Sequence, residues 1–177
     1  MNEFYGHSYY HTPGVREICH YVKQANDKAA RGLAIHIIAE DLLHRGIVKQ
    51  GDILIPAPQH SGRAEYTKEI ADAIAAKTNA RVVDILRCIP HIPMYEQREI
   101  VCNPQIKMYR QGILPEASAY YFIDNVISTG LTFRLANELL SYRLQPLVYA
   151  VDETKNPDIG IGIIRIYEER KCNDVYY

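Results

Sequence analysis

The most constraining stretch of the chain is Tyr120-Tyr121-Phe122-Ile123-Asp124-Asn125-Val126-Ile127-Ser128-Thr129-Gly130-Leu131-Thr132. An apolar, aromatic run of strand length enters a polar turn. A segment over 131–142 follows, whose apolar residues Phe133, Leu135, Ala136, Leu139 and Leu140 recur at helical spacing. The stretch therefore reads as strand, loop and helix. At such a junction the first backbone N–H groups of the helix have no intrahelical partner and point into the loop. Ser128, Thr129 and Thr132 add hydroxyls there, and Gly130 lets the backbone approach a ligand closely. This is the chemistry of a phosphate cradle. Just before it, at the end of the strand, Asp124 and Asn125 offer side chains suited to a pair of sugar hydroxyls or to a hydrated Mg2+.

The same design occurs earlier. Gly51 and Asp52 introduce the apolar run Ile53-Leu54-Ile55, a strand of the sort buried in a parallel sheet. After Pro56-Ala57-Pro58 come Gln59, His60, Ser61, Gly62 and Arg63, then a helix to about residue 77 with Tyr66, Ile70, Ala73 and Ile74 on its buried stripe. The amides of this second loop suit another anion, with Arg63 adding charge. Alternating strands and helices over 53–151 predict an α/β fold with a mainly parallel sheet and helices on both faces. Both loops then open at one edge of the sheet.

The remaining segments are assigned by pattern. Two helices, over 15–30 and 33–47, are expected to flank Gly32, and residues 81–86 read as a strand rich in β-branched residues. Residues 87–103 carry prolines, mixed charges and no sustained period, which inside a compact domain marks a functional or disordered loop. Leu147 to Val151 form another strand, ending at Asp152 and Glu153, two acids at a carboxyl edge with a possible indirect role toward Mg2+. Residues 161–167 read as a last strand or accessory element. The tyrosine-rich first dozen residues are aromatic without a period and read as an arm or part of a lid.

The 120–132 stretch closely resembles the PRPP-binding signature of type I phosphoribosyltransferases, in which acids, hydroxyls and glycine fall in this register. The resemblance implies that Asp124 and Asn125 hold the ribose hydroxyls and that Ser128, Thr129, Gly130, Leu131 and Thr132 wrap the 5′-phosphate. It further implies that Gln59, His60, Ser61, Gly62 and Arg63 form the pyrophosphate loop and that residues 87–103 are a mobile catalytic loop carrying Arg98. Mg2+ would be the cofactor, met by Asp124 indirectly, through water or the ribose. The family usually has an acid where this chain has Asn125. Where members carry an acid at the position of Ser128, it contacts the incoming base; Ser128 only hydrogen-bonds, so base activation needs another group. Tyr95-Glu96-Gln97-Arg98 with Asn103 is similar to a pattern in the competence-protein-F-like branch, although the cysteine-rich zinc module often found there is missing.

The implied activity is transfer of a phosphoribosyl group from PRPP to a nitrogenous base or amine, with release of pyrophosphate. The alternatives are a PRPP- or nucleotide-sensing protein on the same fold and a ribosyl-phosphate hydrolase. A single domain over 1–177 is expected, with a core over 51–152 and, by the resemblance, a small hood from residues 1–50 and 153–177 and a homodimer. With 20 basic and 21 acidic residues the formal net charge is -1, so nothing favours a nucleic-acid partner. No apolar run reaches membrane-spanning length and no signal peptide is evident. Four cysteines stand singly, without Cys-x-x-Cys, which fits free thiols and a cytoplasmic protein.

Overall fold

The structure is a computed structural model that describes residues 6–24, 26–92, 106–141 and 144–155. Its centre is a five-stranded sheet of β1 (His7–Ser8), β2 (Ile53–Pro56), β3 (Arg81–Val82), β6 (Tyr120–Ile127) and β7 (Gln145–Val151), in the order β1-β7-β6-β2-β3. Every pairing in it is parallel. β4 (Leu86–Cys88) and β5 (Met108–Arg110) form a separate antiparallel ribbon. The helices are α1 (Val15–Tyr21), α2 (Lys28–His44), α3 (Tyr66–Thr78) and α4 (Leu131–Leu140).

Strand alternation sorts these helices onto two faces. Leu54, Tyr121 and Ile123 cluster with Val15 and Cys19 of α1, Ile38 and Leu42 of α2, and Ile70 and Ile74 of α3. Ile53, Ile55 and Phe122 point the other way and cluster with Phe133, Ala136 and Leu140 of α4 and with Leu86 of the ribbon. Phe122 and Phe133 meet edge to face, ring centroids 5.6 Å apart. β2 and β6 are neighbours in register, Ile53 opposite Tyr120 and Pro56 opposite Ile123. The chain leaves β2 into α3 on one face and leaves β6 into α4 on the other. Their carboxyl ends therefore flank a topological switch point, where open α/β sheets bind ligands.

Several boundaries differ from the sequence reading. Gly32 lies inside α2, and the break between the first two helices falls between Tyr21 and Lys28. The cause is a cap: the Asp27 carboxylate accepts from the Ala30 amide at 2.9 Å, whereas an exposed glycine costs a long helix only about 1 kcal/mol. The strand expected over 81–86 is split, because after two residues the chain leaves the sheet at a corner where Asp84 pairs with Arg87 at 2.6 Å. Arg87 and Cys88, read as loop, pair with Tyr109 and Met108. Within the aromatic arm, His7 and Ser8 add an edge strand to β7. α1 and α2, read as hood candidates, are layers of the main core.

The His7 ring bonds Asp41 of α2 at 2.7 Å, and Arg45 pairs with the same carboxylate at 2.6 Å. Burial alone would raise the Asp41 pKa, but His7 and Arg45 overcome it and hold the carboxyl at about 2. Most of the 87–103 loop and residues 156–177 lie outside the described residues, including the strand expected over 161–167. No helix among the described residues is long and apolar enough to cross a membrane.

Candidate functional site

The cleft at the switch point is lined by Ile106, Phe122, Asp124, Val126 and the turn from Ile127 to Phe133, and it encloses about 100 Å³. It thus gathers Asp124, Ser128, Thr129, Gly130, Leu131 and Thr132, all predicted from sequence. The turn is shaped by Gly130, which sits at φ 70° as the residue before α4. Glycine adopts that left-handed backbone freely, and the turn it shapes lines the cleft. Among the described residues no side chain caps α4 and the amides of Gly130 and Thr132 have no acceptor. The Leu131 amide has only a long contact, 3.4 Å, with the Thr129 hydroxyl. The partial positive charge of a helix start therefore faces the cleft unneutralised.

Asp124 projects from β6 into the same cleft, its Oδ1 accepting from the Asn125 amide at 2.8 Å. Burial pushes its pKa up to about 6, against the opposing pull of Lys23 and the amides of Asn125 and Val126. A carboxylate in this setting is a strong acceptor for hydroxyl groups that enter with a ligand, because a hydrogen bond to it offsets lost solvation.

Asn125 takes the other direction. β6 continues to Ile127, so adjacent side chains point to opposite faces, and Asn125 is 1% exposed on the α1–α3 face. Its amide nitrogen donates to the Cys19 carbonyl at 3.3 Å and its oxygen accepts from the Tyr66 hydroxyl at 3.3 Å. The paired role expected of Asp124 and Asn125 on one sugar is not what this geometry arranges, since only Asp124 lines the cleft. Sequence reasoning placed both at the strand's end, where a turn would free their orientation; two more residues of strand fix it.

The loop after β2 opens at the same edge but is largely engaged. The Gln59 amide donates to the Arg63 carbonyl at 3.0 Å and the Gly62 amide to the Gln59 carbonyl at 2.8 Å. With its side-chain oxygen turned toward the helix, Gln59 accepts from the Glu65 and Tyr66 amides, both at 3.2 Å, and so caps α3. Ser61 donates to the Glu65 carboxylate at 2.6 Å. The amides of His60, Ser61 and Arg63 have no acceptor among the described residues and lie on the exposed rim. Arg98 lies outside the described residues.

Three neighbours of the site carried no sequence signal. Lys23 acts electrostatically on both Asp124 and Cys19. Tyr66 opens α3, and its hydroxyl is raised well above the usual phenol range by burial and by Asp124. Cys19 is buried in the apolar stripe of α1, and burial pushes its thiol up to about 12, which excludes a thiolate nucleophile there. Asp152 and Glu153, possible participants from sequence, are used structurally. Asp152 pairs with Lys155 at 2.7 Å, and Glu153 accepts from the Tyr9 amide at 3.2 Å and from the Ser8 hydroxyl. No family model matches the chain, and no curated protein matches it.

Proposed function

We propose that the chain is a type I phosphoribosyltransferase-like enzyme, which moves a 5-phosphoribosyl group from PRPP to a nitrogenous base or amine and releases pyrophosphate. The reading rests on one observation: two loop-to-helix junctions stand at the carboxyl ends of neighbouring parallel strands, with Asp124 in the cleft beside one of them. PRPP has the matching layout, a phosphate at each end of a ribose. The open α4 start with Ser128, Thr129 and Thr132 takes the 5′-phosphate, and Asp124 takes a ribose hydroxyl. The rim amides of His60, Ser61 and Arg63, with the Arg63 guanidinium, take the pyrophosphate.

In the reaction, the bond from the anomeric carbon to pyrophosphate breaks with its electron pair leaving on oxygen. The acceptor nitrogen supplies the pair for the new bond to that carbon, and its proton goes to an oxygen of the departing pyrophosphate or to solvent. The transition state carries positive charge on the ribose, which the Asp124 carboxylate stabilises, while the amides of the β2 loop meet the departing negative charge. No protein nucleophile is required. Among the described residues no three or more His, Cys, Asp or Glu side chains gather as a metal site. Asp124 alone fits a Mg2+ carried chiefly by the ligand's own oxygens, the usual mode for this ion. When bound, Mg2+ supplies neutralisation of pyrophosphate charge.

One observation favours a second reading, a PRPP- or nucleotide-sensing protein. Asn125 is directed into the core, which leaves Asp124 as the one carboxylate that lines the cleft among the described residues. Calorimetric titration with PRPP, with and without Mg2+, tests binding, and pyrophosphate release across a panel of bases and amines tests turnover. Saturable, Mg2+-dependent binding with release supports the transferase, binding without release supports the sensor, and absence of binding overturns both.

A further inference from the structure

We propose that Asn125 and Tyr66 form a positioning latch that holds the two anion loops in fixed register across the sheet. The inference rests on the PRPP reading above. Tyr66 is the first residue of α3, and its amide is capped by the Gln59 side chain, so its ring moves with the 59–65 loop. Asn125 lies on β6, three positions before the Ser128 turn, between Asp124 and Val126, which pair with Val148 and Ala150 of β7. The hydrogen bond from the Tyr66 hydroxyl to the Asn125 oxygen, 3.3 Å, therefore joins the base of one loop to the base of the other. The amide end of Asn125 donates to the Cys19 carbonyl at 3.3 Å, and the Cys19 thiol contacts the Asn125 carbonyl at 3.8 Å, which extends the latch to α1.

Two features indicate an arrangement tuned for position. The link needs a neutral amide, a donor toward a carbonyl and an acceptor toward a phenol, in a place 1% exposed. A carboxylate there would set oxygen against the Cys19 carbonyl and bury a charge. The second feature is the location of this polar contact. Around it the α1–α3 face presents apolar side chains such as Ile70 and Ile123, and the contact occurs at the carboxyl edge, on the strand residue next to Asp124.

A ligand that spans two loops gains affinity from their fixed spacing, because the second end binds at an effective concentration set by geometry. Loosening the spacing weakens the spanning ligand and spares its halves. The test is calorimetry of wild type and Tyr66→Phe with Mg2+-PRPP, ribose 5-phosphate and pyrophosphate separately. The expected result is a fall of about tenfold in PRPP affinity, with the affinities for ribose 5-phosphate and for pyrophosphate within about twofold of wild type. Asn125→Ser, which keeps a small polar group without reaching Tyr66, gives the same split. PRPP affinity unchanged in both variants overturns the latch. An equal loss of all three ligands also overturns it, by showing a structural role only. If wild type binds none of the three, the PRPP reading itself fails; if it binds all three and the variants do not split, the latch alone fails.

Discussion

The loops after β2 and β6 look alike in sequence and differ in how their polar groups are spent. The first closes on itself: Gln59 caps α3, its backbone bonds Arg63, and the Gly62 carbonyl accepts from the Cys88 amide of the ribbon at 3.1 Å. Among the described residues the second has no cap at its helix start and nothing within 4 Å of a Cβ placed on Gly130. The β2 loop is thus braced by its own bonds and by the ribbon, with the His60, Ser61 and Arg63 amides left without acceptors among the described residues, whereas the β6 loop has little bracing around Gly130. Two glycines in similar contexts should therefore fail in different ways.

The largest effect is expected at Gly62. A Cβ there would stand 2.9 Å from the Cys88 carbonyl oxygen, at φ 103°, with the Pro90 ring behind it. Gly62→Val should cost more than about 3 kcal/mol, since backbone strain and a clash with backbone add, and thermal unfolding will show it. An unchanged melting temperature would mean the ribbon is not packed on the loop. Gly130→Val should cost about 1–2 kcal/mol from its left-handed backbone alone, leave the fold intact and abolish binding of Mg2+-PRPP. Intact PRPP affinity would remove the cradle from the site.

Between these in stability lies Asn125→Asp. If Asn125 faced the ligand, restoring an acid would improve binding. The buried geometry predicts the reverse, a loss of about 2–3 kcal/mol at pH 8. The sign follows from the new carboxyl, whose pKa burial must raise. Stability is then retained below about pH 4, where the acid is protonated in both states, and is lost as pH rises through the folded-state value. Urea unfolding at pH 4 and pH 8 checks it, and equal penalties at both would contradict a buried charge.

How far the sequence was legible depended on whether local chemistry determined the answer. The 120–132 stretch was readable because apolar strand, glycine and hydroxyl residues each select their own backbone state, and the structure gathers the cradle residues where that pattern put them. β2 and β7 were readable as apolar runs bounded by turn residues. The split between β3 and β4 was not, because Val83 to Ile85 keep strand-like composition while an Asp84–Arg87 pair and a ribbon partner more than twenty residues away turn the chain. The orientation of Asn125 was hidden for a similar reason. Parity in a strand is decided by how many residues pair with β7, which is a long-range fact. Tyr66 and Cys19 looked like ordinary members of helical stripes, and only the fold brings them to Asn125.

The most diagnostic effect belongs to Asp124, the residue that the open loop keeps beside it. Burial raises its pKa to about 6, so the folded state holds a proton there that the unfolded chain releases near 3.8. Its contribution to stability is complete below about pH 4 and is lost as pH rises through 6. Asp124→Asn removes that loss, so the variant should be more stable than wild type by up to about 3 kcal/mol at pH 8 and equal to it at pH 4. The same change removes the acceptor for the ribose hydroxyl, so Mg2+-PRPP affinity should fall. Wild-type affinity should itself decline below about pH 6 as Asp124 takes up its proton. A variant that gains stability while losing ligand marks a carboxylate kept for binding at a cost to the fold. One that loses both would place Asp124 with Gln59, among groups already committed to holding the fold.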